Sequence, residues 1–378
     1  MRVLVNGIGI VDSGGVKVFE KLLQECVQSS EGDEFVILLT RSNQILSLVN
    51  KYQDWDMFSF KMLHFNSYIH RLSYENFHFK KLIAQHGIDL VYNFTSTSQF
   101  YLRCPQLIKM HNLLFYSKKL DSCYKKNSHF ILWIKQIFLK RLVLRFMLNK
   151  SKYIEIQSKH VKKYLSDYIN VKNKHIFIKS DVDVSAISFM KPKDYDFSKK
   201  LKFLYIVGPH FDYTHKNFLD FTNSMMELSK LNINFEINIT LSKDELSGSK
   251  LWNNSLNSKT NFYGYINDSK EMNNLFCDNT ILVSTSVIET LGLHVIEAIR
   301  NGLVTITPNE EYAQEVYGTQ GYRYDLFNVK SFTQTLKEMA QDKESIEKTI
   351  LVQQKYLREN EMSKTNNIVD VFRKVLHV

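Results

Sequence analysis

Glu289 and Glu297 flank the tripeptide Gly292-Leu293-His294 within the stretch ILVSTSVIETLGLHVIEAIRNGLVTITP, residues 281–308. Residues of these types at this spacing suit the binding of a phosphorylated polyol. The backbone amides of Gly292, Leu293 and His294 would be the unsatisfied donors of a helix N-terminus, a natural seat for a phosphate or diphosphate, and Gly292 leaves room for close approach. Glu297, about one turn further in, can accept hydrogen bonds from two vicinal hydroxyls such as a ribose offers. Glu289 precedes the helix, so it cannot share one helical face with Glu297. It can meet a second polyol or a developing positive charge. A capped helix with two solvated glutamates would contain the same residues, because glutamate is common on surfaces.

The elements that must position these groups are legible around them. Residues 281–283 form a short apolar run suited to a buried strand, 284–290 are polar, and Leu293, Ile296 and Ile299 recur at helical spacing. Gly302 stops the helix, a second apolar run follows at 303–306, and Pro308 closes it. Strand, loop, helix and strand of this length make a right-handed crossover, so the sheet is expected to be parallel. In such sheets ligands lie beyond the carboxyl ends of the strands, where Glu289 and the first helical turn must sit.

The segment STSVIETLGLHVIE, 284–297, resembles the E-x7-E signature of retaining glycosyltransferases of family 4, a GT-B-fold family, with Glu289 and Glu297 as its glutamates. Upstream, FYGYINDSKEMNNLF at 262–276 resembles the strand, Gly loop and helix that precede the signature. Downstream, 302–308 and Glu315-Val316 resemble the following strand and helix.

The resemblance, of bacterial surface-polysaccharide type, implies an α/β protein of two doubly wound Rossmann-like domains facing a cleft. It implies a nucleotide-diphosphate sugar as donor, a saccharide or lipid-linked saccharide as acceptor, and no metal or other cofactor. It makes Gly14-Gly15 the pair whose bare backbone approaches donor sugar and phosphate, and His111 the residue near the transferred sugar. A turn needing positive φ and a structural histidine are the plainer readings of these positions.

The family often has an Arg after the first strand of its second domain, and this chain has Pro209-His210 there instead. The second cation survives as Lys216 in His215-Lys216-Asn217, leaving Lys216 as the main cation for the departing diphosphate, with His210 or His215 as possible assistants. Tyr265, after Gly264, is placed to contact the base. The turn Ser180-Asp181-Val182-Asp183 departs from the family's Asn-Gly.

At 378 residues with 44% hydrophobic residues, the chain accommodates two ordinary domains. The expected boundaries are 1–190 and 199–361, with the charged stretch KPKDYDFSKK as linker and a terminal helix at 362–378 crossing back to the first domain. The net charge of +10 suits an anionic substrate or an anionic membrane surface as well as nucleic acid; nucleic acid is not the expected partner. Four isolated cysteines make neither a zinc pattern nor a disulfide framework. The start MRVLVNGIGIVDSGG has no leader pattern, and no apolar run approaches a membrane span, so a cytoplasmic protein is expected.

Residues 129–149, HFILWIKQIFLKRLVLRFMLN, read either as an aromatic, basic helix lying on an anionic bilayer or as a core helix with snorkelling cations. Three D-x-D triplets, at 54–56, 181–183 and 194–196, mean little in an Asp-bearing chain, because only one at the end of an early Rossmann strand would count as a metal–nucleotide motif. Two rival classes stay open. A nucleotide-binding oxidoreductase lacks its Gly fingerprint here, since the third position is Asp12, and it lacks the acidic ribose ligand. A degenerate nucleotide-sugar-binding protein without turnover would keep both glutamates.

Overall fold

The computed structural model describes residues 1–11, 13–111, 117–126, 130–181, 188–208, 210–231, 233–266, 268–359 and 367–377. The chain divides into two compact units. Met1–Tyr116, Ile131–Asp181 and Thr365–Val378 form the first, and Ser117–Phe130 with Val182–Lys364 form the second. The short segment Ser117–Phe130 is thus grouped with the second unit.

The first unit is built on seven strands: β1 (Arg2–Gly7), β2 (Glu34–Thr40), β3 (Phe58–Leu63), β4 (Leu90–Asn93), β5 (Gln106–Met110), β6 (Tyr153–Ile156) and β7 (His175–Ile178). Their order is β3-β2-β1-β4-β5-β6-β7, and the pairs are parallel. The second unit has six parallel strands: β8 (Leu201–Tyr205), β9 (Phe235–Ile239), β10 (Thr260–Phe262), β11 (Thr280–Val283), β12 (Val304–Pro308) and β13 (Tyr322–Tyr324), in the order β10-β9-β8-β11-β12-β13. Central strands such as VLVNG in β1 and TILV in β11 are buried on both faces because helices cover both sides of each sheet. Each sheet reverses its direction of growth once, between β1 and β4 and between β8 and β11. The crevice beyond the carboxyl ends at such a reversal is where doubly wound sheets bind ligands.

The terminal helix Ile368–His377 belongs to the first unit. It buries Ile368, Val369, Val371, Phe372 and Val375 in that unit's core, with Phe372 edge-on to Tyr92 at 5.0 Å. Its first amide donates to Glu25 Oε2 at 2.9 Å, and the other Glu25 oxygen accepts from Lys179 at 2.9 Å.

A second buried ionic cluster ties the strand ends together. Lys109, 2% exposed, bonds Glu155 at 2.7 Å and Asp181 at 2.6 Å, and the Tyr92 hydroxyl donates to Glu155 at 2.7 Å. Asp181 of the 181–183 triplet is thus a partner of Lys109, which with Lys179 offsets the upward push of burial and holds its carboxyl below the usual range; Val182 and Asp183 lie outside the described residues.

The 129–149 stretch is helical in Phe130–Trp133, passes through a π-helical turn at Ile134–Phe138, and continues as Leu139–Lys150. One side buries Ile137, Arg141, Leu144, Met147 and Leu148. The other exposes Phe138, Leu139, Leu142, Val143 and Phe146, with Lys135, Lys140, Arg145 and Lys150 also exposed. The helix thus carries a second, outward apolar stripe, with cations on both its exposed and its buried sides. Among the described residues no helix is long and apolar enough to cross a membrane.

Candidate functional site

At the β8/β11 reversal of the second unit, two loops are stitched together. The loop after β8 ends in a 3-10 turn, Thr214–Lys216, followed by Asn217 in the left-handed region (φ 50°). The loop after β11 lies against it. Thr285 Oγ1 donates to the Lys216 carbonyl at 2.9 Å, the Tyr205 hydroxyl lies 2.8 Å from Thr285 Oγ1, and the Val287 amide donates to the His215 carbonyl at 2.8 Å. Tyr312 reaches in from behind, its hydroxyl donating to the Ser286 carbonyl at 2.6 Å.

This stitching brings Lys216 Nζ to 2.7 Å from Glu289 Oε1, which also accepts from Ser286 Oγ at 2.8 Å. The ammonium side chain is 28% exposed and the carboxylate 14%. Burial alone would raise the Glu289 carboxyl, but Lys216, with smaller help from His294 and His215, brings it down to about 2. Burial and the neighbouring ammonium push both His215 and His294 down to about 4. Both imidazoles are therefore neutral at pH 7. They can assist as hydrogen-bonding groups, not as extra cations, and His294 Nε2 already lies 3.2 Å from Ser284 Oγ.

Gly292 caps the helix Leu293–Arg300 with φ 56°, and a Cβ there would collide with the hydroxyl of the fully buried Tyr317. Glycine is required at this position for both reasons. Beyond it, the amides of Leu293 and His294 have no acceptor among the described residues, as a helix N-terminus leaves them. Glu297 sits half-buried in the next turn, and no described residue bonds its carboxylate. Tyr265, 51% exposed, follows Gly264, whose φ is 67°.

Lys216, Glu289, Gly292, Leu293, His294, Glu297 and Tyr265 thus all belong to the second unit. Gly14, Gly15 and His111 belong to the first. Gly14 and Gly15 lie in the opening turn of the helix Ser13–Ser29, and the positive-φ glycine of that loop is Gly9 (φ 97°). The tight-turn reading of the pair is corrected, and nothing lies within 4 Å of a Cβ built on Gly14. His111 directly follows β5 and packs on Phe94 at 5.9 Å; its Nδ1 is buried without a partner among the described residues. Burial and Lys109 push it down to about 4. Of its neighbour at that tip, Asn112, and of Pro209, nothing is described. The hydroxyls of Thr95 and Ser96 donate to Ile8 and Lys109 carbonyls, so that tip is internally bonded.

Sequence reasoning missed Ser286, Tyr312 and Tyr317. A serine three positions before Glu289 was visible as a local signal; the two tyrosines carried none.

Residues 196–355 match the family model described as Glycosyl transferases group 1. Among curated proteins none matches the chain. Solved structures of low identity share its fold over nearly the whole length. Sucrose-phosphate synthase from Thermosynechococcus elongatus aligns with TM-score 0.66 at 12% identity, covering 100% of this chain and 99% of the other. A glycosyltransferase from Rickettsia africae aligns with TM-score 0.66 at 13% identity, covering 99% and 98%. Anabaena Alr3699/HepE in complex with UDP and glucose aligns with TM-score 0.65 at 11% identity, covering 99% and 100%. The chain therefore has the GT-B fold of two Rossmann-like units, and its second unit carries the group 1 glycosyl transferase pattern.

Proposed function

We propose that the protein is a retaining glycosyltransferase of family 4 that moves a sugar from a nucleotide-diphosphate sugar to a saccharide or lipid-linked saccharide acceptor in surface-polysaccharide synthesis. The observation that carries this reading is the Lys216–Glu289 ion pair beside the open amides of Leu293 and His294. A diphosphate leaving group there meets a fixed ammonium and a helix N-terminus, which stabilise the charge that develops as the sugar–phosphate bond breaks. Glu297 and the Tyr265 backbone take the ribose and base, while Gly14, Gly15 and His111 serve the transferred sugar from the first unit. No metal or other cofactor enters this reading. The test is hydrolysis of a panel of UDP-, GDP- and ADP-sugars without acceptor: release of free sugar from one of them, abolished in Lys216→Ala, supports the reading. Tight binding of a nucleotide sugar without release would leave a non-catalytic binder, and stabilisation by NAD alone would point to an oxidoreductase.

The outward stripe of Leu139–Lys150 supports work at an anionic membrane surface inside the cell. Exposed Phe, Leu and Val beside lysines and arginines suit the interface between headgroups and acyl chains. The protein is expected to sediment with anionic vesicles at low salt and leave them as ionic strength rises. Leu142→Glu with Phe146→Glu should abolish that binding; no sedimentation of the intact protein at low salt would remove the membrane from the reading.

A further inference from the structure

In the first unit the loops that follow β1 and β4 flank the sheet's reversal, and one side chain from a third element lies across both. Arg71 stands in the first turn of the helix Tyr68–His86. Its Nη2 donates to Thr95 Oγ1 at 2.5 Å in the loop after β4, and that hydroxyl donates to the Ile8 carbonyl at 3.0 Å in the loop after β1. Its Nη1 lies against Gly9, which holds φ 97°, and a Cβ built there would collide with the guanidinium. The Gly9 amide is fixed in turn on Thr40 Oγ1 at 2.9 Å. Arg71 is thus seated in the crevice where a doubly wound sheet receives its ligand.

The guanidinium is anchored to its counter-ion at one edge only. Nε donates to Glu75 Oε1 at 2.6 Å, one turn further along the helix; the carboxylate is 0% exposed and the arginine side chain 12%. An arginine that served only to neutralise that carboxylate would close on it side-on, with both oxygens and a pair of N–H groups engaged. Here the other oxygen, Glu75 Oε2, is buried without a partner among the described residues, and the Nη end turns to the loop tips instead. Hydrogen bonds use Nε and Nη2, whereas Nη1 has no acceptor among the described residues. What faces the crevice is therefore the positive fork, with the carboxylate buried behind it.

We infer that Arg71 recognises an oxyanion, a phosphate or a carboxylate, carried by the acceptor; that this ligand is the acceptor rests on the glycosyltransferase reading. The planar fork matches two oxygens of either group, and a site closed to most water strengthens the pairing. A net charge of +10 suits a substrate of that sign. A neutral saccharide would leave the fork unpaired.

Isothermal titration calorimetry at low ionic strength tests the site with inorganic phosphate, glucose 1-phosphate and glucuronate, and with methyl glucoside as the neutral control. The protein carries Lys216→Ala throughout, which weakens anion binding in the second unit. At least one anion is expected to bind while methyl glucoside does not. Binding is expected to fall ~10-fold or more in Arg71→Lys, which keeps a charge beside Glu75 but loses the fork. The same loss is expected when Arg71→Gln is combined with Glu75→Gln, which leaves no buried carboxylate unpaired. Preference for the phosphates assigns a phosphorylated acceptor, and preference for glucuronate an acidic sugar.

Absence of anion binding, equal binding of methyl glucoside, or undiminished binding in either variant that folds would each overturn the assignment. The glycosyltransferase reading fails separately, when no nucleotide sugar of the panel is hydrolysed.

Discussion

Replacing Lys216 by alanine is expected to lower turnover by ~10²-fold or more, the scale seen when one preorganised charge-stabilising donor is lost. The ammonium lies 2.7 Å from Glu289 in a site that is mostly closed to water, where a charge acts more strongly than it does at a surface. The same contact complicates the variant. Removing Lys216 leaves Glu289 largely buried with Ser286 and two neutral histidines as neighbours. Breaking a fully buried pair costs roughly 3–5 kcal/mol and an exposed one at most ~1, so this partly exposed pair should fall near the lower figure. Urea unfolding should therefore shift modestly while steady-state turnover collapses. The double variant Lys216→Ala, Glu289→Gln recovers the stability but not the turnover, because it restores no cation for the leaving diphosphate. Full activity in Lys216→Ala would remove Lys216 from the mechanism.

The parts of the fold that could be read ahead of the structure are those in which chemistry is local. The runs at 3–5, 35–39 and 281–283 are apolar on both faces, and that alone marks strands buried inside a parallel sheet. β3 and β13 escaped because edge position relaxes the pattern: FSFKML alternates in burial, and YRY has three residues. Lys109 sits in a strand and would be read as an exposed position, yet it is among the most buried side chains, because Glu155 of β6 and Asp181 of the loop after β7 arrive beside it. The helix after 138 hid its outward stripe for a related reason. Periodicity reports that apolar residues recur, not which recurrence faces protein, and the π turn at Ile134–Phe138 shifts the register in mid-segment.

The site divides along the same line. The spacing of Glu289, Gly292 and Glu297 is carried by one crossover and was visible as a string. The bond between Glu289 and Lys216 joins residues 73 positions apart, and the Asp220 oxygen, besides its near neighbour Asn217, gathers Tyr324 of β13 and Phe327 across 104 and 107 positions. Such contacts are made by tertiary packing, so no local motif announces them. The left-handed backbone of Phe327 is the extreme case, since the residue type argues against the conformation it adopts.

The two glutamates should separate kinetically, because their surroundings differ. Glu297 lies one turn inside the helix Leu293–Arg300 with no bonding partner for its carboxylate among the described residues, so it is available to the ribose in ground state and transition state alike. Glu297→Gln should therefore mainly raise the donor KM, by roughly 10-fold for a lost charge-assisted hydrogen bond, with kcat nearly kept. Glu289 is held by Lys216 and Ser286 and kept ionised far below neutral pH, so it shapes the field at the bond that breaks. Glu289→Gln removes a charge and loosens Lys216 together, and should lower kcat by ~10²-fold or more while the donor KM changes little. Steady-state kinetics of both variants on the same nucleotide sugar decide the matter. Equal loss of donor binding with kcat unchanged, or no effect of either substitution, would mean that the pair is a capped helix with two bystander carboxylates.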